Sequence, residues 1–197
     1  MIRVLIYIKH HLNFLWCCID WLNSVLFRLL HGKKFYYVTK NVIASHALSG
    51  FDFRLIKSGD LKNLQIFLSA QPSGRIAFFK PHGFDKKTLQ KVFANPAFLM
   101  MAVFDGPRMA GYFFLRCFWN KKCFVGRLID KSYEGKGIGR IMNEIMYHAA
   151  WESGFRCFST ISRNNKLVMK SHSKNKNIKE LKELDDDYIL IEFVKPE

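Results

Sequence analysis

Three apolar segments joined by very short polar turns, and followed at once by a glycine-rich turn and a long amphipathic pattern, constrain this chain more than any other feature. Phe98 to Phe104 is followed by Asp105-Gly106-Pro107, Met109 to Trp119 by Asn120-Lys121-Lys122, and the third segment runs from Cys123 to Ile129. A parallel crossover needs about a dozen residues or more. Loops this short, carrying Asp-Gly and Asn, therefore predict an antiparallel meander. Beyond it, Ile138, Ile141, Met142, Ile145, Met146 and Ala149 recur at the i, i+3, i+4, i+7 spacing of one helical face. That spacing predicts a helix from Gly137 to Ser153, which Gly154 ends. Phe155 to Ile161 then reads as a strand buried on both faces.

The flanking segments add smaller elements. Phe53 to Ile56 is a strand candidate, and Ser58 or Asp60 can cap a helix to about Leu68. Gln71 to Gly74 is read as a turn, and Asp85 as the cap of a helix through Phe93 that Asn95-Pro96 ends. Asn165 to about Lys174 predicts a last helix and Tyr188 to Val194 a last strand, with the Lys/Asn-rich run from Lys174 to Lys182 as a solvated linker.

Residues 1–34 stand apart from a domain spanning 51–197. In helical projection Lys9, Asn13, Asp20 and Ser24 share a narrow polar stripe, and Leu12, Leu15, Trp16, Ile19, Leu22, Leu26 and Leu29 cover the rest. An unpaired Asp at the bilayer centre costs about 2.5–3.5 kcal/mol on insertion scales, which disfavours spanning. Packing on the domain, a homodimer contact and docking on a membrane surface are the favoured destinations, with spanning the least favoured of the alternatives. No small-x-small site follows at the distance a cleaved signal peptide requires.

With hydrophobic types at 49% of 197 residues, the chain can bury one sizeable core. Lys and Arg outnumber Asp and Glu by 31 to 16, so the surface favours anionic partners. The basic residues are dispersed without the aromatic interleaving of single-strand binders, so nucleic acid is not the expected partner. The five cysteines form no CxxC pair and no zinc-spaced quartet, so no metal is expected. The cysteine usage suits a reducing compartment, placing the chain in the cytoplasm or at the inner membrane surface.

Chemistry concentrates in Glu134-Gly135-Lys136-Gly137-Ile138-Gly139-Arg140. Glycines at alternate positions let backbone amides turn inward unobstructed, and the helix starting there adds its positive dipole end, which together suit a diphosphate. A P-loop would need Lys-Ser or Lys-Thr after its last glycine, and Arg140 follows Gly139 instead. A Rossmann fingerprint follows an early parallel strand, whereas this turn follows a meander. A purely structural loop is the remaining alternative.

At these residues the chain resembles the Gcn5-related N-acetyltransferase (GNAT) family, whose motif is a strand, Arg or Gln-x-x-Gly-x-Gly or Ala, and a long amphipathic helix. The resemblance spans about residues 51 to 194. It implies an α/β (α+β) fold with a mixed, mostly antiparallel central sheet flanked by helices, to which this chain adds an N-terminal amphipathic helix. It also implies acetyl-CoA, or another acyl-CoA, as co-substrate. The diphosphate would meet the backbone of Gly135, Lys136, Gly137, Ile138, Gly139 and Arg140, and the pantetheine arm would meet the main chain of Leu128 and Ile129. Glu134 departs from the family, which has Arg or Gln in its place. A second family signature aligns Asn165 with a residue that binds the cofactor arm, and His172 with the Tyr that protonates the departing thiolate. Asp130 is the candidate base, with Glu134 and His82 weaker ones, and Ser159, Thr160 and Ser162 are candidates for the acyl pocket. His148 reads as a surface partner of Glu144.

The implied activity is N-acylation of a primary amine. The wording of Phe79 to His82, Gly111 to Arg116 and Ser159 to Ser162 resembles transferases of bacterial surface-polysaccharide biosynthesis, which points to an amino-sugar nucleotide or glycan precursor as acceptor. The competing expectation is a catalytically degenerate GNAT-fold module that binds RNA or a membrane surface.

Overall fold

The computed structural model describes residues 13–172 and 175–196. Seven strands form one sheet in the order β1-β2-β3-β4-β5-β7-β6. They are β1 (Asp52–Leu55), β2 (Phe98–Asp105), β3 (Arg108–Cys117), β4 (Lys122–Ile129), β5 (Arg156–Ser162), β6 (Ile178–Glu183) and β7 (Tyr188–Phe193). The meander is present as expected, β2 pairing antiparallel with β3 and β3 with β4. Among the described residues the single parallel pair is β4 with β5. Its connection is the long helix α6 (Ile138–Glu152), as a crossover requires.

The sheet is covered on both sides, and alternation along β3 shows why that strand carries no polar face. Phe113, Leu115 and Cys117 join Ile138, Met142 and Ile145 of α6 in one core. Tyr112 and Phe114 point the other way, into a second core. That second core is closed by Leu64, Phe67 and Leu68 of α3 (Leu61–Ser69) and Leu89 of α5 (Lys86–Phe93). Asp85 caps α5 as expected, its Oδ1 accepting from the Thr88 amide at 2.9 Å.

Several expectations need correction. Ser73 and Gly74, read as the end of a turn, open the short helix α4 (Ser73–Ile76). Most of the run read as a linker is the edge strand β6, antiparallel to β7, with Lys179, Glu180, Lys182 and Glu183 exposed. Backbone pairing makes it a strand, while charges protect the open edge from further pairing. β5 exposes Arg156 and Thr160 and is not buried on both faces. The last helix, α7, spans Lys166–His172. Lys174 and Lys9 lie outside the described residues.

Helix α1 (Asn13–Phe27) continues through a widened turn, Arg28–Gly32, into α2 (Lys33–Ser45). The boundary expected at residue 34 falls inside this unbroken helical run. Phe27 and Phe35, one on each side of it, meet Phe155 edge-on at 6.0 and 4.9 Å. Burying each such side chain is worth roughly 1.5–3 kcal/mol. The amphipathic segment is therefore docked on the domain.

Candidate functional site

The parallel pair β4/β5 is short, and that brevity makes the site. Pairing extends only from Lys122–Phe124 to Arg156–Phe158. Beyond it the strands part, and Ser159 Oγ donates to the Val125 carbonyl at 3.1 Å in place of a ladder bond. On its β5 side the backbone of β4 from Gly126 to Ile129 thus faces a wedge, while its other side stays paired with β3. Leu128 and Ile129, the main-chain positions expected to meet an extended arm, lie in this stretch.

The glycine-rich turn caps the wide end of the wedge. Gly135 and Gly137 have φ of +77° and +83°, and open space surrounds the place where a Cβ would stand at each. Among the described residues the amides from Gly135 to Gly139 meet no acceptor, whereas the Arg140 amide already donates to the Gly137 carbonyl at 3.1 Å. Unpaired amides at the start of a fifteen-residue helix form a cradle for an anion. Gly139 is needed for a different reason. A Cβ there would sit 2.8 Å from Arg127 Nη1 and 3.1 Å from Ile129 Cδ1.

Two arginines that the sequence left unmarked complete the site. Arg75 of α4 pairs with Glu134, and its Nη2 donates to the Ile129 carbonyl at 2.7 Å. The anion that departs from the family pattern is thereby neutralised by a cation brought in from α4. The Nε of Arg75 and the Oε1 of Gln71 are buried in the same region without partners among the described residues. Arg127 of β4 lies beneath the first turn of α6, with its Nε donating to Asn143 Oδ1 at 2.7 Å. Burial pushes its pKa down, and among the described residues no carboxylate pairs with it. Both arginines come from positions remote from the glycine motif, so only an arginine interrupting an apolar strand hinted at Arg127.

Comparison with known proteins follows the same geometry. No family model and no curated protein matches the sequence. Solved structures do match. The GNAT domain of an S. lividans PAT shares 15% identity at a TM-score of 0.62, covering 72% of this chain and 88% of that one. The PaiA N-acetyltransferase of Thermoplasma acidophilum, solved in complex with coenzyme A, shares 16% at 0.60 over 74% and 99%. The ribosomal-protein-S5-alanine acetyltransferase of Vibrio fischeri shares 17% at 0.58 over 76% and 98%. The chain has the GNAT fold.

Within the GNAT frame the residues singled out by sequence divide. The unpaired amides run from Gly135 to Gly139, with Lys136 Nζ 4.7 Å from the centre of the Tyr133 ring. The Arg140 amide, expected to join them, is held by the Gly137 carbonyl instead. Arg140 is exposed and pairs with Glu144 at 3.1 Å. His148, expected to pair with Glu144, pairs instead with Glu152 at 3.3 Å, because Arg140 already holds Glu144. Asn165 accepts the Val168 amide at 3.3 Å and so caps α7.

Asp130 caps the turn Lys131–Tyr133, its Oδ1 accepting from the Ser132 amide at 2.9 Å and from Ser132 Oγ at 2.6 Å. Burial would raise its pKa, but these bonds, Gln71 and the Arg108 charge outweigh it and hold the carboxyl below its ordinary value. That disfavours Asp130 as a proton acceptor. His82 is tied down as well: Nδ1 donates to the Gly83 carbonyl at 2.8 Å, so Nε2 accepts from Tyr112 Oη at 2.9 Å. Burial lowers its pKa. The pair fastens the loop after α4 onto β3.

His172 is partly buried against Phe193, with ring centres 5.4 Å apart. Burial first, and the Arg127 charge second, push its pKa down to about 4. An imidazolium donor at neutral pH is therefore disfavoured, contrary to the sequence expectation. The linkage has a definite sign. Unfolded His172 takes up a proton near pH 6.5 while the folded ring stays neutral to about pH 4. Protonation thus favours the unfolded chain as pH falls through that window, by up to about 1.4 kcal/mol per unit and less where solvent reaches the ring. Melting temperatures from pH 7 to 4 are expected to fall more steeply for the wild type than for His172→Phe; parallel curves would contradict the assigned shift.

Proposed function

We propose that this protein is an acyl-CoA-dependent N-acyltransferase acting on a primary amine. The observation that carries the reading is the set of unpaired amides from Gly135 to Gly139 at the mouth of the β4/β5 wedge. Coenzyme A bound to the structurally similar Thermoplasma enzyme supports the same ligand class. The orphaned Arg75 Nε and Gln71 Oε1 fit a ligand that offers both acceptors and donors.

Bound acyl-CoA supplies a thioester already activated toward an amine. The cradle amides hold the diphosphate, the main chain of Leu128 and Ile129 aligns the arm, and Arg75 releases the Ile129 carbonyl as the arm arrives. In the overall transfer an N–C bond forms as the C–S bond breaks, the amine loses one proton and the thiolate gains one. With Asp130 capping a turn, Glu134 paired to Arg75 and His82 tied to Tyr112, solvent water is the route for the amine proton. Positioning then contributes the larger part of the rate.

The acceptor is a small-molecule amine. An amino-sugar nucleotide suits the net charge of +15, because its diphosphate is attracted to a basic surface. The buried, unbridged Cys117, Cys123 and Cys157 suit cytoplasmic conditions. The paired Glu134 and the intact cradle favour catalysis over a degenerate binding module.

Calorimetric titration with acetyl-CoA, followed by acetyl transfer to a panel of amino-sugar nucleotides and simple amines, tests the proposal. A folded protein that binds no acetyl-CoA would overturn it. Arg75→Met is expected to weaken acetyl-CoA at least about tenfold, the loss of one charge-assisted contact. Glu134→Gln, which removes a carboxylate beside the diphosphate, should leave affinity equal or higher. The opposite ranking would assign Arg75 to structure alone.

A further inference from the structure

Helix α1 is mounted with its polar side inward. Asn23 Nδ2 donates to the Cys117 carbonyl and Asn23 Oδ1 accepts from the Trp119 amide, each at 3.1 Å. Asp20 accepts from Arg116 Nη2 at 3.3 Å and from Asn95 Nδ2 at 3.4 Å. His31 Nε2 donates to the Trp119 carbonyl at 3.0 Å. These bonds take up the carboxylate that made burial of this segment in a bilayer costly. They also turn the apolar side chains away from the protein.

Phe14 is 82% exposed, Trp21 66% and Leu29 76%, with Leu15, Leu22 and Leu30 exposed beside them. From Phe14 to Phe27 the outward side carries no charge, since Asp20 is the single charged residue of that stretch and faces the domain. Left in water, each large side chain forgoes part of the roughly 1.5–3 kcal/mol that burial returns. A contiguous patch of this kind marks a contact surface.

Charge selects the occupant. Between residues 13 and 45 Asp20 is the sole carboxylate, whereas Arg28, Lys33, Lys34 and Lys40 are all exposed cations following the apolar stretch. Tyr36 and Tyr37 are exposed among them, and amphipathic aromatics of this kind favour a headgroup boundary. The preceding Met1 to Leu12 is likewise apolar and cationic in sequence, with Arg3 and Lys9 and no carboxylate. Among the described residues no helix is long and apolar enough to cross a membrane.

We propose that the outward face of α1 docks in the surface of an anionic lipid bilayer, with the cations from Arg28 to Lys40 over the headgroups. The helix lies along the interface, and its inward bonds fix the GNAT domain against the membrane. Each of the cations adds about 1 kcal/mol of attraction to a negatively charged surface. This inference rests on residues 14–40 and is independent of the acyl-transfer reading.

Sedimentation of the full chain with vesicles of equal parts phosphatidylglycerol and phosphatidylcholine tests it, with phosphatidylcholine vesicles as the reference. Binding to the anionic vesicles is expected to exceed binding to the neutral ones at least tenfold, and to weaken as salt rises. Trp21→Glu with Leu29→Glu alters only exposed positions, so its circular dichroism melt should match the wild type while vesicle binding falls at least tenfold. Equal binding by that variant, or none by the wild type, overturns the proposal. So does a concentration-dependent dimer, seen by analytical ultracentrifugation, that the double variant abolishes without any vesicle binding, because the face then belongs to a second copy.

Discussion

Gly137→Asp is expected to lower acetyl-CoA affinity at least about a hundredfold, equivalent to about 2.8 kcal/mol, while the domain remains folded. Gly137 stands at φ +83° with open space where a Cβ would stand, so the new side chain has room to be added and brings its carboxylate beside the unpaired amides. A carboxylate there repels a diphosphate and competes for the same donors. The left-handed backbone costs a non-glycine residue roughly 1–2 kcal/mol, which for a chain of this size lowers the melting temperature by about 2–8 °C. Gly137→Asn separates the causes, because Asn tolerates positive φ and brings no charge. Calorimetry and thermal melts on the same preparations decide. A folded Asp variant with wild-type affinity would remove the donor site from this turn.

Arg127→Met is expected to reduce acetyl-CoA affinity at least about tenfold and to leave the melting temperature within about 4 °C of the wild type. A buried cation lacking a carboxylate partner costs desolvation that its bond to Asn143 only partly offsets. Replacing it by an apolar side chain of similar length should therefore cost little stability. Its position under the first turn of α6 makes a bound anion the compensation that the fold itself lacks. A second readout does not depend on the ligand. Arg127 helps depress His172, so nuclear magnetic resonance titration of the variant should show the His172 pKa rising from about 4. An unmoved His172 together with full affinity would reduce Arg127 to packing.

These two residues also show where sequence reasoning reached. The glycines could be placed at the start of a helix because alternate glycine spacing and the i, i+3, i+4 recurrence are local patterns, and the short turns of the meander are local as well. Arg127 was passed over because its meaning lies in what surrounds it. Nothing near it in sequence says that Gly139 leaves room above it, that Asn143 holds its Nε, or that β4 and β5 part beside it.

The same division runs through the rest of the molecule. Order along the chain was enough for the antiparallel meander, the long helix after it, the helix-capping Asp85 and the glycine-rich turn suited to an anion, since each follows from hydrophobic period, turn chemistry or backbone freedom over a few residues. The mixed sheet was implied by the family resemblance, and the parallel pairing of β4 with β5 across that helix came from the tertiary structure. Tertiary structure alone decided that Lys179 to Glu183 form an edge strand, because pairing with β7 outweighs their charged composition. It decided that Glu134 is neutralised from 59 residues away by Arg75, and that Asp130 is bound up as a turn cap. It also decided that α1 turns Asp20 and Asn23 inward, because Cys117, Trp119, Asn95 and Arg116 offer them partners that no helical projection could reveal. Local periodicity specifies which residues share a face. Which face is buried, and at what pKa a side chain there titrates, depends on partners that only folding brings within reach.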